Sequence, residues 1–206
     1  MRGSSLCVVG IATRAVPRFP DSVDGVERSG ARDRPSGLWD RAAVERAFHL
    51  LGDHLVERGV RAHLYLYGGT ALALTHAGRR PTPDLDAVFQ PRHIVLEEAA
   101  AVADELGLPH RWLGRPTTAR VAPGGDAAAL SVLDHPGLRV TAASPEHILA
   151  SMVLAARHRD AEDIRFLVGR LGLADAERVL SLCAYVFPDD EMPERARAVL
   201  QDVFDR

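Results

Sequence analysis

The sequence contains no lysine and no asparagine. All 25 residues of the Lys+Arg total are therefore arginine, so an anion held by this chain must be met by guanidinium, imidazole or backbone N–H groups. With its abundant alanine, this bias reads as coding from a GC-rich, bacterial genome. Cysteine is scarce as well. Cys7 and Cys183 stand far apart and make neither a disulfide framework nor a metal-ligand spacing, which fits a reducing cytoplasm. No apolar run reaches the length needed to span a bilayer. The segment Met1 to Val16 lacks the apolar core of a signal peptide, so a cytoplasmic location without a membrane is expected. The net charge of −3 excludes a global positive field for nucleic acid and leaves only a local patch open. Nine histidines show no His-Glu-x-x-His spacing. No serine sits in a nucleophile-elbow context.

What is present is organised in three stretches. Residues 1–37 are rich in Gly, Ser, Pro, Arg and Asp without periodicity, and read as a flexible N-terminal arm. Residues 38–142 read as strands and helices in alternation. Val44, Phe48, Leu51 and Leu55 recur on one helical face, with Asp40 as N-cap and Gly59 as stop. Ala62 to Tyr67 reads as a strand, Thr70 to Ala77 as a helix after the Gly68-Gly69 break, and Asp84 to Phe89 as a second strand. Residues 92–106 make an amphipathic helix ended by Gly107 and Pro109. Arg111 to Leu113 and Ala128 to Leu133 could be strands around a Gly124-Gly125 turn. Leu138 to Ala142 is a clearer strand, and Asp134-His135-Pro136-Gly137 before it is a turn. Residues 143–206 read as a helical domain: one helix started by Ser144 and Pro145, one from Asp160 to near Gly172, and two more at about 174–186 and 192–204. Strands first and helices last predict an α+β fold, a small mixed sheet flanked by helices and followed by a C-terminal helical bundle.

The chemistry gathers in two motifs, Gly68-Gly69-Thr70 and, thirteen residues later, Asp84-Leu85-Asp86. Residues i and i+2 of a strand share a face, so Asp84 and Asp86 stand side by side. Two carboxylates that close repel unless cations neutralise them. Mg²⁺ suits them, because it takes hard oxygen ligands and commonly combines one or two carboxylates with substrate phosphates. The glycine pair lets backbone N–H groups approach a triphosphate, Thr70 adds a hydroxyl, and the following helix N-terminus favours anions. Arg79 and Arg80, on the loop before the acidic pair, either clamp phosphates or face solvent. Taken singly, Gly-Gly is ordinarily a turn and Asp-x-Asp a solvated strand face. The conjunction, with strand before, helix between and strand after, points to a site for a nucleoside triphosphate and its metal ions. Cys183, in an apolar helix, reads as core.

These motifs resemble the signature of the DNA polymerase β-like nucleotidyltransferases, a Gly-Gly/Ser pair followed by Asp-hydrophobic-Asp. The run from Arg79 to Phe89, the run Ser144 to Ala150 and the run Ala155 to Ile164 are further similar to minimal bacterial members of toxin–antitoxin operons, the AbiEii-type and MenT-type toxins. The resemblance spans about 44–204. It implies that Asp84 and Asp86 bind metal, two Mg²⁺ ions, and that Gly68, Gly69 and Thr70 hold the NTP. Arg79, Arg80 and Arg159 offset its charge. It also implies a catalytic role for Asp160 and Asp163 of the Arg-Asp-x-x-Asp segment, although the pair equally suits an N-cap and its capping-box partner. Three departures stand out. Met152 occupies the place of a lysine. Trp112-Leu113-Gly114-Arg115 replaces Trp-Leu-Asn-Asp, with Arg115 a possible replacement charge. No later-strand carboxylate is evident, since Arg139 and Thr141 fill the obvious strand and Asp134 lies near its start. The implied activity is transfer of NMP from an NTP to an acceptor hydroxyl with release of pyrophosphate. The implied acceptor is a tRNA, and the implied partner a cognate antitoxin. The alternatives are an antitoxin that AMPylates a HEPN toxin protein, and a degenerate binding module of the same fold.

Overall fold

In the computed structural model, residues 41–76, 85–114 and 121–205 are described. The N-terminal arm, Asp40, Arg79, Arg80, Asp84 and Arg115 lie outside them. Among the described residues the order is α1 (Arg41–Glu57), β1 (Ala62–Leu66), α2 (Gly68–Thr75), β2 (Leu85–Gln90), α3 (Arg92–Leu106), β3 (Leu113–Gly114), β4 (Leu130–Asp134), β5 (Leu138–Ala142), α4 (Pro145–Ala155), a 3₁₀ turn (His158–Asp160), α5 (Ala161–Leu171), α6 (Ala176–Val186) and α7 (Glu194–Phe204). The expected α+β class is met.

The five strands form one mixed sheet in the order β3-β2-β1-β5-β4. β1 runs antiparallel to β2 and parallel to β5, β2 is parallel to β3, and β4 is antiparallel to β5. Directly paired residues point to the same side of a sheet, so the register sorts its two faces. Ala62, Leu64 and Leu66 share one face with Leu85, Ala87, Phe89, Leu138, Val140 and Ala142, and all are buried. α1 contributes Val44, Phe48, Leu51 and Leu55 to the same core and α3 contributes Val95, Ala99 and Val102. Trp112 closes it, buried beside Phe48 with its indole N–H donating 2.8 Å to the Ala99 carbonyl. The opposite face carries His63, Tyr65, Asp86, Val88, Gln90, Arg139 and Thr141, most of them half-buried or exposed.

The β4–β5 hairpin is held at its turn. His135 and Leu138 exchange both backbone hydrogen bonds around Pro136-Gly137, as the turn residues predict. Gly137 packs so closely on α1 that an added Cβ would lie 2.9 Å from the Val56 N–H nitrogen and closer still to the Gly52 carbonyl. Gly52 in turn leaves room for the His135 ring.

α4 is apolar around much of its circumference, with Ile148, Leu149, Met152, Val153 and Leu154 all buried. A helix of that kind belongs in an interior, and α4 packs against α2, α5, α6 and α7. Its start is as expected: Pro145 opens the first turn and the Ser144 hydroxyl accepts the His147 N–H. Two expected boundaries move. α2 begins at Gly68 and not at Thr70, so the glycine pair is its first turn rather than a break before it. The Asp160–Asp163 capping box does not form. Residues 158–160 wind into a 3₁₀ turn that runs straight into α5, leaving Asp160 at φ −90° and ψ 0° and without a side-chain capping hydrogen bond. A capping residue needs an extended backbone to turn its oxygen back on the helix.

Candidate active site

The site forms where β1 turns into α2. Tyr67 is still extended (φ −139°, ψ 177°) and its N–H donates to the Asp86 carbonyl at 3.2 Å, adding one rung to the β1–β2 ladder. Gly68 then takes φ +58°, a left-handed value that glycine adopts without cost. The Tyr67 carbonyl receives the first helical hydrogen bond, from Ala71. Among the described residues, a Cβ built on Gly68 or Gly69 would meet nothing within 4 Å. The glycines put no side chain over the turn, and the first N–H groups of a helix have no intrahelical acceptor. This suits a phosphate.

Thr70 ties that turn to the acidic strand. Its side chain is fully buried and its hydroxyl accepts the Asp86 N–H at 3.0 Å, across the β2 backbone. The expected triphosphate hydroxyl is thus engaged as a clamp that seats Asp86 beside the glycine turn. On the other side, Gly114 pairs with Asp86 in register, and a Cβ there would lie 3.3 Å from the Leu85 carbonyl and 3.6 Å from Asp86 Oδ1. The glycine at 114 therefore lets the Asp86 carboxylate lie against β3.

Arg157, just before the Arg-Asp-x-x-Asp segment, reaches the same region. The Tyr67 phenol is pushed well above its ordinary pKa, first by burial and then by the negative Asp86, with Arg157 opposing. Tyr67, Asp86 and Arg157 therefore share one electrostatic neighbourhood. Arg157 leaves α4 through Ala156, whose φ of +46° marks a left-handed helix end. Asp160 is raised above the ordinary carboxyl range by burial, while Arg157 and Arg159 pull it down and Asp163 pushes it up. Arg159 Nε lies 3.7 Å from Asp160 Oδ1. Arg159 and Asp160 are thus neighbours of each other, and Asp160 shares the field of Arg157 with Tyr67. Met152 is 5% exposed and belongs to the core.

Among the described residues no three His, Cys, Asp or Glu side chains converge as a metal cage. The remaining donor chemistry still fits Mg²⁺, which needs one or two carboxylates and takes its other ligands from water and phosphate. Asp86 supplies one carboxylate, on the strand that Thr70 ties to the glycine turn.

Some candidates lie elsewhere. Asp134 sits at the far end of the sheet, beside the start of β1, in an ion pair with Arg61, away from the glycine turn. His76 caps α2, buried, with Nδ1 2.8 Å from the Thr75 hydroxyl and its ring edge-on to Phe166.

One cluster is organised by a residue without a signal in the sequence, Asp126. Asp126, its side chain 2% exposed, accepts the Tyr65 hydroxyl at 2.9 Å and the Ser144 N–H at 2.7 Å through Oδ2. His147 Nδ1 lies 3.3 Å from Asp126 Oδ1 and 2.9 Å from the Ser144 hydroxyl. Burial and then the adjacent carboxylate hold the Tyr65 phenol far above its ordinary pKa. Serine, histidine and aspartate meet here, but at the same ring nitrogen, so no proton relay of the Ser-His-Asp kind can run through the imidazole. The cluster joins β1, the 121–129 loop and the start of α4 immediately beside the glycine turn. Its carboxylate is a brace for that turn.

Against known protein families, residues 49–166, more than half of the chain, match the family described as nucleotidyl transferase AbiEii toxin, Type IV TA system. No curated protein and no solved structure matches the chain.

Proposed function

We propose a reaction for this site from the premise that the chain belongs to the AbiEii nucleotidyl transferase toxin family. The reaction is transfer of a nucleoside monophosphate from an NTP to a hydroxyl of a tRNA. The acceptor oxygen bonds to the α-phosphorus, the bond from that phosphorus to the bridging oxygen breaks, and pyrophosphate leaves. The observation that carries this reading is the Thr70 clamp, which ties the Asp86 backbone to the glycine-lined start of α2. Backbone N–H groups of Gly68, Gly69 and Thr70 orient the triphosphate. Arg79, Arg80 and Arg159 balance its charge, in a chain with no lysine to do so. Asp160, raised by burial, is suited to take the acceptor proton, with Asp163 beside it. Two Mg²⁺ ions held by Asp84 and Asp86 would activate the acceptor oxygen and stabilise the leaving pyrophosphate.

The test is incubation with Mg²⁺ and labelled NTPs in the presence of total tRNA, or of a purified cognate partner protein. Labelled tRNA is the expected outcome. Labelled protein would move the assignment to an AMPylating antitoxin. The buried Met152 at the lysine place favours a second reading, a degenerate binding module. Absence of any label, together with no thermal shift on adding NTP and Mg²⁺, would establish that reading.

A further inference from the structure

Tyr67 is the last extended residue before the glycine turn. Leu66 pairs with Ala87 in the antiparallel ladder, so the next rung sets Tyr67 opposite Asp86, and the bond from the Tyr67 N–H to the Asp86 carbonyl makes that rung. Residues directly opposite share a face, with Cβ atoms about 5 Å apart. The Tyr67 side chain is therefore the cross-strand neighbour of the Asp86 carboxylate. Its ring is half-buried and packed against the core. A tyrosine hydroxyl placed so ordinarily finds a hydrogen-bond partner. Tyr65, two residues earlier on the same face, shows this, since its hydroxyl donates to Asp126 at 2.9 Å. The Tyr67 hydroxyl makes no hydrogen bond among the described residues, and nothing among them seals it from solvent. Asp86 does not take it, because its Oδ1 lies toward Gly114 on β3. Burial and then Asp86 keep the phenol protonated against the pull of Arg157, so it is a donor. Arg157 itself has neither side-chain hydrogen bond nor ion pair among the described residues.

We propose that Tyr67 is a nucleotide-binding residue whose hydroxyl donates a hydrogen bond to a phosphate oxygen of the NTP. This deepens the transferase reading and rests on it. The ligand chemistry follows from the surroundings of the hydroxyl. It is a neutral donor beside the first residues of α2, whose N–H groups favour the same kind of oxygen. A donor facing an ionised acceptor makes a shorter and stronger bond than one facing a neutral group. The ring is already packed against the core, so the hydroxyl and not the ring face makes the contact. In a chain without lysine, such a donor adds to what arginine and backbone N–H groups can offer a triphosphate.

The experiment titrates the full chain, with Mg²⁺ and without an acceptor, with the four NTPs in turn and with inorganic triphosphate, which carries the phosphates without base or sugar. Tyr67→Phe keeps the ring and removes the hydroxyl alone. It should weaken NTP and inorganic triphosphate alike by about tenfold, the scale of one hydrogen bond to a charged group. The Tm of the free chain should stay unchanged, because the hydroxyl has no partner to lose. Tyr185→Phe, at a tyrosine 84% exposed on α6, should alter neither affinity nor Tm. Unchanged affinity for inorganic triphosphate in Tyr67→Phe would overturn the proposal, even if NTP binding fell, since the contact would then be to base or sugar. So would a wild-type chain that holds NTP but not inorganic triphosphate. A lowered Tm of the free Tyr67→Phe chain would overturn it by giving the hydroxyl a partner within the fold. Failure of the transferase reading shows separately. A wild-type chain that binds none of the probes overturns that reading and this contact together, whereas the expected losses in a chain that transfers no label support the contact and overturn transfer alone.

Discussion

At the scale of single residues, Asp160 separates catalysis from stability. Its carboxyl is raised above the ordinary range by burial, so the fold disfavours its charged form. A raised acid contributes stability that is fully present below the unfolded pKa and is lost as pH rises through the folded one. Asp160→Asn should therefore raise Tm at pH 8 and leave it unchanged near pH 4, while abolishing NMP transfer. Melting curves at the two pH values check the first part and the labelling assay the second. A lowered Tm at pH 8 would restore the capping role that the sequence allowed. Gly114 offers the complementary case. Gly114→Ala would push a methyl group against the Leu85 carbonyl, 3.3 Å away, and against Asp86 Oδ1. Overpacking of this kind costs about 1–3 kcal/mol. Urea melts should show that loss, and transfer should fall further than stability because the displaced group is the site carboxylate.

At the scale of elements, two joints hold the site in place. The hairpin seats on α1 through Gly137 and Gly52, and the atoms an added Cβ at Gly137 would meet are backbone atoms that cannot swing aside. Gly137→Ala should thus destabilise by about 2–4 kcal/mol, well beyond the helix-propensity scale, as read by denaturant midpoint. At the other joint, Asp126→Ala strips the acceptor from the Tyr65 hydroxyl and the Ser144 N–H. Each buried donor left unpaired costs about 1–3 kcal/mol, so a loss of several kcal/mol is expected, and Tyr65→Phe in the same background should recover part of it. These joints also mark where the sequence could be read and where it could not. β5 was legible to the residue because Leu138 and Val140 alternate with polar neighbours, and α3 because Gly107 ends it at φ +64°. The start of α2 was misplaced because glycine, a poor interior residue, is tolerated in a first turn where few helical bonds depend on it. Asp126 was invisible because its partners lie 61 and 18 residues away along the chain, in a segment without periodicity. The Asp86–Thr70 clamp was half legible: the two residues were singled out, but which atoms would join them depends on how α2 sits on β2.

At the scale of the whole molecule, the buried residues of the sheet and of α4 to α7 form one cluster, so a ligand on the sheet should stabilise the C-terminal helices as well. Cys183 can report this. It lies buried on α6, and burial pushes its thiol up to about 12, which leaves it nearly free of thiolate at pH 8 while the chain is folded. In a Cys7→Ser background, alkylation at pH 8 should therefore follow opening of the molecule. A ligand that binds only the folded state lowers the open population by 1 + [L]/Kd, so NTP with Mg²⁺ at a hundred times its Kd should slow labelling about 100-fold. The same addition to Asp86→Asn should slow it much less, because a strand carboxylate needed for the metal is gone. The dependence of labelling on urea identifies the opening. A steep slope means that the thiol is exposed by global unfolding, and then an unchanged rate with NTP would show that the site holds no nucleotide. A shallow slope would show that α6 opens alone, and that the C-terminal helices are coupled to the sheet more weakly than their shared core implies.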